Sequence, residues 1–133
     1  MKKTRSVVFL IAVLGVAVVA ASAPRHPQVW KILGRRTVTD RIDHDVIRVT
    51  GDRGKWTAIK ISVARRAVEF HKVLIRYGDG TVQQVGLKSV IPAGGSSRVI
   101  DLKGGRRVIN RIEFWYDAES LGGSATVTVV GRR

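Results

Sequence analysis

The chain has 133 residues and no cysteine, and its 24 Lys and Arg residues against 10 Asp and Glu residues give a formal net charge of +14. The lack of cysteine excludes disulfides, a cysteine nucleophile and the lipid attachment of lipoproteins. A folded domain in this chain must therefore be stabilised by packing and backbone hydrogen bonds alone.

The first 23 residues have the layout of a secretory signal peptide and predict an N-terminal signal helix. Residues 2–5 contain three basic side chains, residues 7–19 are uncharged and mostly aliphatic, and residues 20–23 are small. The apolar stretch 7–23 is 17 residues long, at the short limit for crossing a bilayer. A cleaved signal is therefore favoured over a retained transmembrane span, and the protein is predicted to be exported, either periplasmic or secreted.

Removal of the signal leaves a short linker and one domain. Cleavage fits after Ala23, although Pro24 would then follow the cut bond, and cleavage after Ala21 is the alternative. Residues 24–29 form the linker and residues 30–133 the folded domain, a size typical of a single domain. This mature chain keeps 21 basic residues against 10 acidic ones, a net charge of +11.

Period-two alternation of apolar and polar residues dominates the domain, with about nine short strands separated by Gly, Pro and Asp turns. The strand segments are 30–33, 46–50, 56–63, 68–77, 81–85, a strand ending at Pro92, 98–102, 107–116 and 125–130, and residues 37–39 add a short β-branched piece. Beyond the signal, helical spacing is not sustained over ten positions. The pattern predicts an all-β fold, a two-sheet antiparallel sandwich with jelly-roll-like connections, with a small closed barrel as the alternative.

Three local signals refine the strands. Gly34 is predicted to end the first strand. In the segment 68–77, Val73, Ile75 and Tyr77 share one face, and Lys72, Leu74 and Arg76 share the other. Phe70 is apolar on the parity of the second set, which predicts a bulge or two-sided burial near His71. Asp79 and Gly80 predict a hairpin whose tight turn uses positive φ angles at both residues.

Basic side chains give the leading functional prediction. Arg107, Arg111 and Trp115 are expected to project from one strand face, and guanidinium groups beside an aromatic ring suit phosphate or sugar-phosphate ligands. The candidate polyanion-binding residues are Arg65, Arg66, Arg106, Arg107, Arg111 and Trp115. Together with the export signal they predict a non-enzymatic basic module for an anionic envelope polymer or lipid head groups, with only non-specific affinity for nucleic acid. A merely solvated face in a proteome rich in arginine is the alternative.

An acidic cluster offers a second reading. Asp40, Asp43 and Asp45 could ligate Ca²⁺, which prefers several oxygen ligands, and a calcium-dependent carbohydrate-binding sandwich is the corresponding alternative. The spacing lacks the glycine and the closing glutamate of an EF-hand, so pairing with arginines is favoured, and no other cofactor is expected. The histidines, which are His26, His44 and His71, are scattered and favour chance placement over a zinc site.

An enzymatic function is disfavoured, because the chain has no cysteine and no G-x-S-x-G motif. The remaining alternative is a glycoside or ester hydrolase with a carboxylate pair. Such a pair would have to come from the aspartates or from Glu69, Glu113 and Glu119.

Several strings of the sequence together resemble a family of small exported bacterial proteins of unknown function. They are residues 32–34, 38–47, 77–80, 100–102 and 107–112, and the resemblance extends over nearly the whole mature domain. The resemblance implies a secreted β-sandwich, and it brings no catalytic residues with it.

Overall fold

The computed structural model describes residues 29–49 and 54–133. The predicted signal peptide with its cleavage sites, His26 and all but the last residue of the linker lie outside these residues. Within the described part, no helix is long and apolar enough to cross a membrane.

The described residues form ten strands and one short helix, as the all-β prediction requires. In chain order these are β1 (Lys31–Thr39), β2 (His44–Arg48), β3 (Lys55–Trp56), β4 (Ala58–Ala64), β5 (Val68–Tyr77), β6 (Val82–Val85), β7 (Ser89–Ile91), β8 (Ile100–Asp101), β9 (Arg107–Tyr116), α1 (Ala118–Leu121) and β10 (Ser124–Arg132). The predicted strand at 98–102 shrinks to the two residues of β8.

The strands build two antiparallel sheets. The first sheet has the order β1-β10-β4-β8, and the second has the order β2-β9-β5-β6, where β3 also pairs with β9 and β7 with β5. Without the short β3 and β7, the eight remaining strands numbered along the chain lie in the orders 1-8-3-6 and 2-7-4-5, which is the jelly-roll arrangement. The predicted sandwich is confirmed, and the alternative of a closed barrel is wrong.

The core lies between the two sheets and follows the predicted alternation. On β4, Ile59, Ile61 and Val63 are each 2% exposed or less. The largest fully buried side chains include Trp56 and Tyr116. Burying one large apolar side chain stabilises a fold by about 1.5–3 kcal/mol, so this layer supplies the main favourable contribution to folding.

Of the two alternatives predicted near His71, the bulge is present. Phe70 pairs with Tyr116 and Lys72 pairs with Trp115, so His71 is an extra residue on β5 with no partner on β9. This shift lets Phe70 face the core, where it is 1% exposed, although its parity opposes that of the later residues of the strand.

A second bulge, in β9, was not predicted. Arg76 pairs with Arg111 but Tyr77 pairs with Ile109, which leaves Asn110 as the extra residue. Ile109 is 3% exposed, so the side chains before the bulge alternate in the opposite sense to those after it. The predicted parity of this strand is therefore correct only from Arg111 onward.

The prediction that Gly34 ends the first strand is wrong. Gly34 lies inside β1, at a register shift against β10. A Cβ atom at this position would lie 2.5 Å from Ile47 Cγ2 and 3.0 Å from the carbonyl oxygen of Arg48. The glycine is needed because β2 passes close to β1 here, and the strand continues on both sides of it.

The predicted hairpin joins β5 to β6, but its turn differs in detail. The turn is closed by the Gly80 amide, which donates to the Tyr77 carbonyl at 3.0 Å. Gly80 has a φ of 91°, whereas Asp79 does not take a positive φ. Asp79 instead accepts hydrogen bonds from the Thr81 amide at 2.9 Å and the Thr81 hydroxyl at 2.6 Å, and these bonds lower the pKa of its carboxyl group.

Candidate anion-binding face

Three arginines stand side by side on the outer surface of the second sheet. Arg111 of β9 pairs with Arg48 of β2 on one side and with Arg76 of β5 on the other. Neighbouring strands lie about 4.8 Å apart, and like charges directly opposite each other across strands destabilise a sheet. We call Arg48, Arg111 and Arg76 the basic row.

One carboxylate partly neutralises the basic row. Glu113, two residues further along β9 and 8% exposed, accepts a hydrogen bond from Arg76 Nε at 2.6 Å and from Arg111 Nε at 3.1 Å. The bond from Arg76 and then that from Arg111 hold the pKa of the Glu113 carboxyl below its usual value, against the opposing effect of its burial. Within residues 29–49 and 54–133, Arg48 has no acidic partner, so the row keeps an excess of positive charge.

We expect Glu113→Gln to lower the free energy of unfolding at pH 7 by about 1–3 kcal/mol, because two arginines lose a charged acceptor. The pKa of Glu113 is lowered by folding, so its contribution is present above the unfolded-state value of about 4.3 and is lost as the pH falls through the folded-state value. Urea denaturation at pH 7 and near pH 2.5 should therefore show a smaller difference between the two proteins at the lower pH.

The matched control is Glu119→Gln, which changes an exposed glutamate on α1. This variant should match the wild type at both pH values. A stability loss in Glu113→Gln that persists unchanged at the lower pH would contradict the assignment.

A second row of side chains lies next to Glu113 on the same outer face. Trp115 pairs with His44 of β2 and with Lys72 of β5. The imidazole and indole rings stack with centroids 4.4 Å apart at 26°, and Lys72 Nζ lies 4.8 Å from the indole centroid. Because β9 runs between β2 and β5, the indole is flanked from both sides, so it is not the free stacking platform that the sequence predicted.

Open clefts lie at both ends of the basic row. A cleft of about 520 Å³ is lined by Arg35, Arg36 and Arg48, where β1 and β2 run along one edge of the sandwich. A smaller depression of about 250 Å³ is lined by Arg76, Arg111 and the bulge residue Asn110. The second bulge thus helps to form a concave, positively charged surface beside the row.

The other predicted arginines lie elsewhere. Arg65 and Arg66 lie in the turn between β4 and β5, and Arg106 lies just before β9, at the opposite end of the long strand β5. Arg65 has a φ of 79° and donates to Ser124 Oγ at 3.4 Å. The structure therefore does not gather the six predicted residues into one patch.

Arg107 is separated from Arg111 and Trp115 by the bulge in β9, so the prediction that these three share a face is wrong. The Arg107 guanidinium lies 3.7 Å from the ring centroid of Tyr77 and forms an ion pair with Asp79 at 2.9 Å. Arg107 thus stabilises the β5–β6 hairpin. Of the six predicted residues, Arg111 and Trp115 belong to the outer face described above.

The predicted calcium ligands do not converge. Asp45 is 6% exposed and faces inward, where it pairs with Arg36 Nε at 2.8 Å and accepts a hydrogen bond from the Tyr116 hydroxyl at 2.9 Å. Asp40 and Asp43 are exposed. The arginine pairing favoured from the sequence is confirmed for Asp45, and burial together with the bond to Asp45 raises the pKa of Tyr116.

Sequence reasoning missed Arg48, Arg76, Lys72 and His44. The alternation of β5 already placed Lys72 and Arg76 on one face, but it could not show that this face continues onto β2 and β9. Strand neighbours in a jelly roll are far apart in the chain, and only the sheet order brings these side chains together.

Comparisons with known proteins support the fold. A family model described as "Domain of unknown function (DUF2541)" matches residues 7–131. A solved structure of Pseudomonas aeruginosa AlgX is similar with a TM-score of 0.52 and 16% sequence identity, over 74% of this chain and 26% of that one. The chain thus spans about a quarter of the AlgX chain, and the likeness concerns the fold alone. No curated protein matches the sequence.

Proposed function

We propose, from the premise that this chain belongs to the DUF2541 family of unknown function, that it is an exported, non-enzymatic binding module for an anionic polymer of the cell envelope or the extracellular medium. The observation that carries this proposal is the basic row with its clefts. The net charge of the chain supports it, because a strongly basic surface attracts polyanions over a distance.

The energetics of the row favour a ligand. Three guanidinium groups on adjacent strands repel one another, and Glu113 is shared by Arg76 and Arg111. An anionic group bound between these arginines would remove the repulsion and form charge-assisted, bidentate hydrogen bonds. Binding and stability are then coupled, because a ligand that binds only the folded state stabilises it.

The direction of the row favours a polymer over an isolated anion. The row crosses three strands, β2, β9 and β5, and beyond Arg48 the cleft beside β1 adds Arg35. Arg36 lines the same cleft but is paired with Asp45. A chain of regularly spaced negative charges lying across the strands would contact these cations in succession. An anionic lipid surface and a nucleic acid are competing ligands, and the test below separates them.

The test is a salt titration of binding to purified lipopolysaccharide, an acidic polysaccharide, anionic vesicles and DNA. Electrostatic contacts release counterions, so the logarithm of the affinity should fall linearly with the logarithm of the salt concentration. The variant Arg48→Gln/Arg76→Gln/Arg111→Gln should bind the acidic polymer weakly, with a salt slope shallower by about two to three units.

The matched control removes the same formal charge elsewhere, as Arg65→Gln/Arg66→Gln/Arg98→Gln, all at exposed positions outside the outer face. It should keep most of the affinity and the slope. Equal loss in both triple variants would show that net charge alone attracts the polymer, and a lack of affinity for every polyanion at low salt would refute the proposal.

A further inference from the structure

Two carboxylates face each other at the far end of the same outer face. Phe70 pairs with Tyr116, and the next amide, that of Asp117, donates to the Glu69 carbonyl at 2.9 Å, so Glu69 and Asp117 are opposite each other across the ladder. Phe70 and Tyr116 are buried, so the alternation places the side chains of Glu69 and Asp117 on the outside.

The bulge in β5 adds an imidazole to this pair. His71 is the extra residue between Phe70 and Lys72, and its side chain is exposed on the sheet surface. One ligand atom from each of Glu69, His71 and Asp117 lies within 4.8 Å of the others. Among the residues that the structure describes, this is the group of three His, Asp or Glu side chains whose ligand atoms lie this close to one another.

The charges of the cluster point to a cation. Two carboxylates directly opposite each other repel, as the arginines of the basic row do. In the described part of this strongly basic chain, neither Glu69 nor Asp117 has a lysine or arginine within salt-bridge distance. Among the described residues, the two carboxylates are therefore left without a lysine or arginine counter-ion, although such side chains are abundant.

The donor set selects the kind of cation. Imidazole nitrogen together with carboxylate oxygen suits Zn²⁺ and neighbouring divalent transition ions, whereas Ca²⁺ and Mg²⁺ prefer oxygen ligands alone. Ligand atoms around a tetrahedral zinc ion lie about 3.4 Å apart, a separation that the partly exposed side chains can reach by rotation. Asp117 Oδ1 accepts a hydrogen bond from the Ser120 amide at 3.3 Å and so caps the N-terminus of α1. The other carboxylate oxygen of Asp117 can bind the ion.

We propose that Glu69, His71 and Asp117 form a binding site for a divalent transition metal ion, best matched by Zn²⁺, with one coordination position open to solvent. The site does not depend on the basic row, which lies at the other end of the outer face. It also gives His71 and the bulge of β5 a role that the scattered positions of the histidines in the sequence did not suggest.

The test is calorimetric titration of the tag-free, EDTA-treated protein with ZnCl₂ and, separately, with CaCl₂. We expect one zinc ion per chain, binding more tightly than calcium, and a rise in melting temperature with zinc. His71→Ala and Glu69→Gln should each weaken zinc binding roughly tenfold or more, since even outer partners of metal ligands contribute that much. Asp117→Asn keeps the helix cap, because asparagine caps as well as aspartate, and should weaken zinc binding too.

Glu119→Gln is the control, because this exposed carboxylate is close in sequence but outside the cluster, and it should bind zinc as the wild type does. Circular dichroism of each variant checks the fold, and His71→Gln serves as a second histidine variant. Unchanged zinc affinity in both His71 variants, equal affinity for calcium and zinc, or no zinc binding at all would each overturn the proposal.

Discussion

Replacing Trp56 by alanine is expected to lower the free energy of unfolding by about 3–5 kcal/mol. Trp56 is 1% exposed, and its ring packs so closely on β10 that a Cβ atom on Gly131 would lie 2.9 Å from it. Removing the ring leaves a large cavity that rigid sheets fill poorly. Since small domains are stable by only about 5–15 kcal/mol, urea denaturation should find this variant at the edge of folding.

Two other variants sharpen this prediction. Trp30→Ala is the matched control, because Trp30 is only partly buried and contacts the side chains of Lys60 and Arg132 at the surface. Its loss should lower the free energy of unfolding much less.

The indole N–H of Trp56 is buried without a hydrogen-bond partner among the described residues. Trp56→Phe removes that donor and keeps most of the apolar volume, and it should therefore cost far less than alanine. Equal losses in the Trp56→Ala and Trp30→Ala variants would contradict the assignment of Trp56 to the core.

Replacing Asp45 by alanine is expected to lower the free energy of unfolding by about 2–4 kcal/mol. The change leaves the buried hydroxyl of Tyr116 with only a long contact to the Thr39 carbonyl at 3.4 Å, and it frees the guanidinium of Arg36. Asp45 lies on the edge strand β2, and its bonds to Arg36 of β1 and Tyr116 of β9 link these two strands. Its loss should therefore loosen β2, and the affinity that depends on Arg48 should fall with it.

A double-mutant cycle with Tyr116→Phe tests this network. The two substitutions share one hydrogen bond, so their effects should fall short of additivity by roughly 0.5–3 kcal/mol in denaturant titrations. The control is Asp101→Ala, whose carboxylate is 86% exposed and lies 3.9 Å from Arg132, and surface pairs of this kind contribute about 0–1 kcal/mol. Strict additivity in the cycle would show that Asp45 stabilises the fold independently of Tyr116.

The sequence predicted the layered fold because its signals are local. Alternation along residues 68–77 predicted the bounds of β5 and the parity of Val73 and Ile75. Phe70, apolar on the other parity, indicated a bulge or two-sided burial near His71, and the structure shows the bulge. The prediction at Gly34 was wrong because glycine is a common strand breaker, whereas here it admits the close passage of β2. That contact joins distant segments, and no local pattern records it.

The candidate site was predictable only in part, for the same reason. Arg111 and Trp115 share a parity within one strand, and the structure places both on the outer face. Arg107 was assigned to that face wrongly, because the bulge at Asn110 inverts the alternation. Ile109 is the local signal of this bulge, but Val108 beside it is also apolar and obscures the parity. Arg48 and Arg76 join the site through strand pairing, which depends on the topology of the whole sandwich.

The position of β10 has a consequence for how the protein folds. β10 comes after every other strand in the chain, yet it lies between β1 and β4 and pairs with both along most of its length. Until it has been synthesised, the first sheet lacks its inner strand, so β1 and β4 are not joined and the apolar face of the second sheet is incompletely covered. Completion of this sheet must therefore wait until β10 has been synthesised, and the long loop closures it needs make folding slow compared with a helical domain of this size.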